Sequence, residues 1–265
     1  MKIQTLVTAI DQADNTLAER MNLQTDTLIG NQCDHEGTET VSVCGYQVTY
    51  LNAKDRGVGI NRNRLLDNAN GDYLILADDD MRFVDGYPEI AKKAVELCSD
   101  ADVYIFNLLE KKPRRYVNKM IKRIGRGDYA RYGAARLMLR RKTIQQAGLH
   151  FSVEFGGGAR YGSGEDTIFL HDCLKSGLKL YAMPFALAEI DQDAPSTWFT
   201  GYHELFFRDK GALYAHLYPR IWPAMALRFL IVQRRHFQGS ISFGTAFKAM
   251  VQGGKTYIAE RKERA

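Results

Sequence analysis

Tyr73-Leu74-Ile75-Leu76-Ala77-Asp78-Asp79-Asp80 sets an unbroken apolar run directly against three carboxylates. A short run of this kind, apolar on both of its alternating sides, reads as a strand buried on two faces of a parallel sheet. The aspartates then emerge together at its C-terminal end, the edge where open α/β sheets bind ligands. Three adjacent carboxylates repel one another and are expensive to desolvate unless a cation neutralises them. A hard divalent ion carrying a diphosphate suits such a place, since Mg²⁺ or Mn²⁺ takes a few carboxylates and fills its other positions with phosphate oxygens and water. A solvated acidic turn is the competing reading, and the buried strand ahead of the acids weighs against it.

Outward from this run, strand-like and helical patterns alternate, which predicts an α/β fold with a doubly wound, mostly parallel sheet. Upstream, 3–9, 27–32 and 46–51 read as strands, with helical patterns over 15–22 and 59–68. Downstream, 88–98 reads as a helix and 103–106 as a strand. The segment 136–139 suggests a further strand leading into a short helix at 142–146. The glycine-rich stretch 156–164 reads as a loop, 165–175 as a helix closed by Ser176 and Gly177, and 178–183 as a returning strand. After about residue 201 the pattern becomes helical, aromatic and basic. The expected organisation is a catalytic domain over 1–215, with a nucleotide-binding half at 1–107 and an acceptor-binding half at 108–215, followed by a helical extension over 216–265.

With 265 residues, 45% hydrophobic and 25% charged, the chain has the composition of an ordinary globular protein. Met1 and Lys2 lead straight into the first strand pattern, and the best apolar stretch, 221–232, is broken by Pro223 and Arg228. The expected location is therefore the cytoplasm. Cys33, Cys44, Cys98 and Cys173 show no zinc or CxxC spacing and read as reduced thiols. The net charge of +5 is unevenly placed: 111–126 holds eight Lys or Arg and no acid, and 216–265 holds nine against two acids. The remainder is acidic. This partition argues against a nucleic-acid partner and suits a nucleotide diphosphate or an anionic membrane face.

Four motifs in order, Gly57-Val58-Gly59-Ile60-Asn61-Arg62-Asn63, Asn70-Gly71-Asp72-Tyr73, Asp78-Asp79-Asp80 and Gly164-Glu165-Asp166, resemble the family 2 glycosyltransferases of the GT-A fold. The likeness covers roughly the first 200 residues. It implies that Asp78 faces the donor ribose or nucleotide, that Asp80 is the direct metal ligand for Mn²⁺ or Mg²⁺, and that Asp79 either supports this site or caps the following turn. Thr8, Asp34 and Arg62 would complete the pocket for a nucleotide-sugar donor, most simply a UDP-sugar. Asp166 would be the general base that takes the acceptor hydroxyl proton in one inverting displacement. Glu165 and Gly164 would orient the acceptor, and the glycines before them imply a loop that admits it and then excludes water. Both acids also favour the N-terminus of the helix they open.

The sequence departs from the pattern in lacking the QxxRW signature of processive synthases and any array of membrane spans. The implied enzyme therefore transfers a single hexose, in the manner of capsule or surface polysaccharide assembly. Its acceptor would be a carbohydrate or a lipid-linked oligosaccharide, placing the protein peripherally on the inner face of the membrane. His203 is the one late histidine placed to join the metal, and an ordinary surface role is the simpler reading. The apolar residues of 111–126, Val117, Met120, Ile121 and Ile124, have helix spacing. That segment could cover the donor diphosphate, bind an anionic acceptor or touch lipid headgroups. In the tail, Trp222, Leu227, Phe229, Leu230 and Ile231 beside Arg220, Arg228, Arg234 and Arg235 have the composition of a helix lying on an anionic bilayer, with packing or a dimer contact as rivals. The oligomeric state is left open.

Three other classes are weighed. A haloacid-dehalogenase-type phosphatase needs Thr or Val where Arg82 stands and places its aspartate strand first in the chain. A sugar nucleotidyltransferase needs a glycine-rich loop after Ala9. A non-catalytic sugar- or membrane-binding module has little reason to keep two acidic centres.

Overall fold

The computed structural model describes residues 1–112, 115–191 and 201–263. Its elements run β1 (Ile3–Ile10), α1 (Leu17–Arg20), β2 (Thr27–Gln32), β3 (Gly37–Val43), β4 (Tyr46–Ala53), α2 (Val58–Asn68), β5 (Tyr73–Asp78), β6 (Met81–Phe83), α3 (Tyr87–Leu97) and β7 (Val103–Leu109). They continue with β8 (Lys122–Ile124), β9 (Leu137–Arg140), α4 (Arg141–Gln146), α5 (Glu165–Lys175), β10 (Leu180–Ile190), α6 (Glu204–Leu217), α7 (Trp222–Phe237) and α8 (Phe243–Glu263). One mixed sheet has the order β3-β4-β2-β1-β5-β9-β7-β10-β6, with β8 paired to β10. Its β4-β2-β1-β5 portion is parallel throughout. The chain forms two compact units, one of Met1–Ser152 with the segment from Asp166 through β10, the other of Val153–Glu165 with α6, α7 and α8.

Side-chain alternation explains the sheet's two coats. On one face Val7, Ile75, Ala77, Tyr104, Phe106 and Met138 pack with Leu17 of α1, with Met21 just after it and with Tyr87, Ala91 and Ala94 of α3. The intervening residues Leu6, Leu74, Leu76, Val103, Ile105 and Leu139 pack with Leu65 and Leu66 of α2, Ile144 of α4 and Phe169, Leu170 and Cys173 of α5. The continuous apolar run at 73–77 is the consequence, because both of its faces are covered. The expected α/β fold and its C-terminal helices are what the structure contains.

The helical unit is held by unusually close approach of two helices. At Gly211 of α6 an added Cβ would sit 2.0 Å from the Met250 carbonyl oxygen, and at Gly253 of α8 one would sit 1.9 Å from that of Arg208. No residue with a side chain fits either position without separating the helices. Phe207, Leu230, Phe237 and Met250 fill the core beside this contact. The expected boundary at 215/216 falls inside α6.

Several expectations are corrected. β3 and β6 are strands that the sequence reading does not contain, α1 is confined to Leu17–Arg20, and β10 extends well past residue 183. Among the described residues of the basic segment 111–126 there is no helix, and β8 is the one regular element; Pro113 and Arg114 lie outside the described residues. Val117, Met120 and Ile121 are exposed, and only Ile124 enters the core. Buried polar groups hold this segment instead. Asn118 N–H donates to Asn107 Oδ1 at 2.8 Å, and Asn107 Nδ2 donates to the Asn118 carbonyl at 3.0 Å. Arg136 donates to the Phe106 carbonyl at 2.6 Å and the Tyr116 carbonyl at 2.9 Å. The four cysteines are free thiols, with Cys44 the exposed one. Among the described residues no helix is long and apolar enough to cross a membrane.

Candidate functional site

The parallel register of β1 and β5 sets Thr8 opposite Asp78 at the ligand-binding edge of the sheet. Thr8 Oγ1 donates to Asp78 Oδ1 at 2.8 Å, and Arg62 Nη2 donates to the same oxygen at 3.0 Å. Arg62 is buried, with its guanidinium 5.3 Å from the centre of the Phe151 ring. The asparagines that flank it anchor α2. Asn61 Nδ2 donates to the Gly30 carbonyl at 2.7 Å, while Asn63 accepts from Phe151 N–H at 2.7 Å and donates back to the Phe151 carbonyl at 2.9 Å. The Gly57–Asn63 motif is thus a device that fixes one buried cation against one aspartate. Thr8, Arg62 and Asp78, expected from the sequence to share a pocket, are brought together.

The three aspartates serve three environments. Asp79 turns toward β1, where its Oδ2 accepts from Ile10 N–H at 3.3 Å and from Gln12 Nε2 at 3.3 Å. Burial pushes the Asp79 carboxyl above the usual range, with Asp78 adding to the rise. Asp80 carries a buried Oδ1 with no hydrogen-bond partner among the described residues. Desolvation first, then the charges of Asp78 and Asp79, push its carboxyl up to about 6, against an opposing pull from Arg115. A buried acceptor raised in this way is a group for which a cation would be a fitting partner.

Asp191 is a neighbour that sequence reasoning missed. The antiparallel pairing of β6 and β10 continues in a bond from Asp191 N–H to the Asp80 carbonyl at 2.9 Å. This proximity joins residues far apart in sequence, and no local spacing could announce it. Gln12, which bonds Asp79, lies in the loop after β1 and likewise carries no motif.

Asp34 follows the end of β2, the strand paired with β1. Its side chain is 96% exposed and bonds His35 Nδ1 at 3.0 Å, and that bond holds its carboxyl below the usual range. Cys33, Asp34 and His35 offer ligand atoms within 4.8 Å of one another, the one such group among the described residues. They are successive residues of a single turn.

In the second acidic centre, Asp166 Oδ1 accepts from Thr167 N–H at 2.6 Å in the first turn of α5. Glu165 Oε2 accepts from Gly164 N–H at 3.2 Å. Gly164 has φ +123°, a backbone conformation that calls for glycine, and a Cβ there would press on the Leu213 side chain at 2.8 Å. Each acid therefore contributes to the entry of the helix. His203 caps α6, its Nδ1 accepting from Phe206 N–H at 3.3 Å.

No family model matches this sequence, and no curated protein does. Solved structures do. The crystal structure of S. aureus TarS 1-349 in complex with UDP-GlcNAc superposes with a TM-score of 0.67 at 12% identity, covering 96% of this chain and 81% of that one. The complex of the same TarS piece with UDP gives 0.60 at 12% identity, over 96% and 81%. A crystal structure of S. aureus TarS of which this chain covers 44% gives 0.57 at 14% identity over 91% of this chain. At such identity the likeness speaks for the fold, and the chain has the α/β fold of these TarS structures.

Proposed function

We propose that this protein is a metal-dependent, inverting glycosyltransferase that moves one sugar from a nucleotide diphosphate donor, a UDP-sugar, to an acceptor hydroxyl. The observation that carries the reading is the junction of Thr8, Arg62 and Asp78 at the ligand edge of the sheet, beside the unsatisfied buried oxygen of Asp80. The shared fold with a protein crystallised with UDP-GlcNAc and with UDP supports it.

In this reading Arg62 and Thr8 fix the Asp78 carboxylate, whose remaining acceptor capacity is directed to the hydroxyls of the donor ribose. Asp80 would hold Mn²⁺ or Mg²⁺, and that ion would supply charge neutralisation for the departing diphosphate. Arg115, whose charge already acts on Asp80, would add a second cation on that side. Asp166 takes the acceptor proton as the new glycosidic bond forms, with Thr167 N–H keeping its carboxylate oriented. Changing Asp166→Asn should reduce transfer by about a thousandfold, the size of a lost general base, while leaving UDP affinity nearly intact. Near-normal turnover by this variant in a donor-consumption assay would remove Asp166 as the base.

The acceptor is proposed to be a carbohydrate carried on a lipid at an anionic membrane surface. Exposed Leu227, Ile231 and Val232 on α7, beside Arg228, Arg234 and Arg235, support this reading because apolar and cationic side chains share its outward surface. Liposome sedimentation with anionic vesicles tests it: Leu227→Asp with Ile231→Asp should abolish association, and unchanged association would refute it.

A further inference from the structure

The helical unit contains a cavity of about 230 Å³ lined by Glu154, His216, Tyr257, Glu260 and Arg261. The glycine-rich segment that ends in Glu165 supplies one wall, and α6 and α8 supply the others. Its surroundings are aromatic. The Phe155 and Tyr161 rings stack with centroids 4.8 Å apart, and Tyr257 approaches both, at 5.7 and 5.8 Å. The His216 ring lies 5.6 Å from Phe155, and His216 Nδ1 and the Tyr257 hydroxyl are 2.6 Å apart. Polar groups of both kinds meet at this aromatic floor. Glu260 pairs with Arg160 and accepts from the Tyr161 hydroxyl at 3.2 Å, while Arg261 adds donors and Glu154 acceptors to the lining.

The chemistry of the lining selects among ligands. The lining holds two carboxylates and one guanidinium, and one of those carboxylates, Glu260, is already paired with Arg160 beside the cavity, so little net charge is left to hold a phosphate or a bare cation. Acceptors and donors beside aromatic rings match a molecule with many hydroxyls around an apolar C–H face, which is a pyranose ring. The volume lies below the range of about 300 to 1,000 Å³ typical of drug-sized ligands, as expected for a single ring. We propose that this cavity is a binding subsite for one neutral sugar residue of the acceptor glycan. Its assignment to the acceptor rests on the glycosyltransferase reading, whereas the binding of a neutral sugar here does not. The same chain segment that walls the cavity runs on to Glu165 and Asp166, so occupancy would bear on the loop that leads to the proposed base.

Saturation-transfer difference NMR with the full chain and methyl glycosides of glucose, galactose, N-acetylglucosamine and N-acetylgalactosamine tests the proposal. At least one glycoside should give a saturable signal. Glu154→Gln and Arg261→Ala should each weaken that binding by about tenfold, the worth of one hydrogen bond to a charged group, with the thermal midpoint preserved. UDP titrated with Mn²⁺ in parallel should bind these variants like the wild type. Absence of saturable binding by every glycoside overturns the proposal, as does binding that both substitutions leave within about twofold, or saturable binding of inorganic phosphate in place of sugar. Failure of UDP to bind while a glycoside binds would instead strike the donor reading and leave the subsite standing.

Discussion

Replacing Asp80 with Asn should make the protein more stable at neutral pH and useless for metal-dependent donor binding. The native carboxyl is raised from the ordinary 3.8 to about 6, with burial as the largest cause. A rise of that size corresponds to about 3 kcal/mol of penalty on the ionised form, reduced to about 2 kcal/mol because solvent still reaches part of the group. An acid whose native pKa is raised binds its proton more tightly in the folded state, so its contribution is favourable below about pH 4 and is lost as pH rises through 6. Asp80→Asn removes the pH-dependent penalty. At pH 8 the variant should gain about 2 kcal/mol, or about 4 to 8 °C in Tm for a chain of this size, and the gain should shrink toward zero near pH 4. Thermal unfolding followed by circular dichroism at both pH values reads this directly. Addition of Mn²⁺ with UDP should raise the wild-type midpoint and leave the variant's unmoved. A variant that is less stable than wild type at pH 8, or a difference that does not change with pH, would refute the reasoning.

Arg62→Met removes the buried partner of Asp78 and should cost about 2 kcal/mol in urea unfolding, together with a weaker UDP affinity by calorimetry; an unchanged affinity would exclude Arg62 from the donor pocket. Gly253→Ala places a methyl group 1.9 Å from a carbonyl oxygen on the facing helix, and unfolding of the full chain should show about 3 kcal/mol of lost stability, whereas a neutral result would mean that α6 and α8 can part easily.

Much of the sheet could be read from the chain because its central strands have no alternative. β1, β2 and β5 are buried along nearly their whole length, and such runs state both their location and their ends. β3 is harder to read for the opposite physical reason: five of its seven residues are exposed, only Val41 and Val43 lean on the core, and its pairing with β4 runs through the turn at Cys44 and Gly45. Residues 117–124 misled because Val117, Met120, Ile121 and Ile124 imitate a helix face. The real determinants are buried hydrogen bonds to Asn107 and Arg136, which lie outside any local window. At the candidate site, strand register explains why Thr8 meets Asp78, while Asp34 sits on an exposed turn and bonds its own neighbour. Asp191 and Gln12 were invisible because only the tertiary pairing of distant segments brings them to the aspartates.

The clasp between Asn107 and Asn118 has a kinetic meaning. Lys119 extends from a backbone already immobilised by groups out of reach of water, and Arg115 and Lys122 are held by Glu110 and Asp128, so little configurational freedom would be surrendered if an anion arrived. Cations held out on such a stiff outrigger act chiefly on how fast an oppositely charged molecule is captured, and ionic strength would tune that capture while the scaffold beneath stayed unaltered.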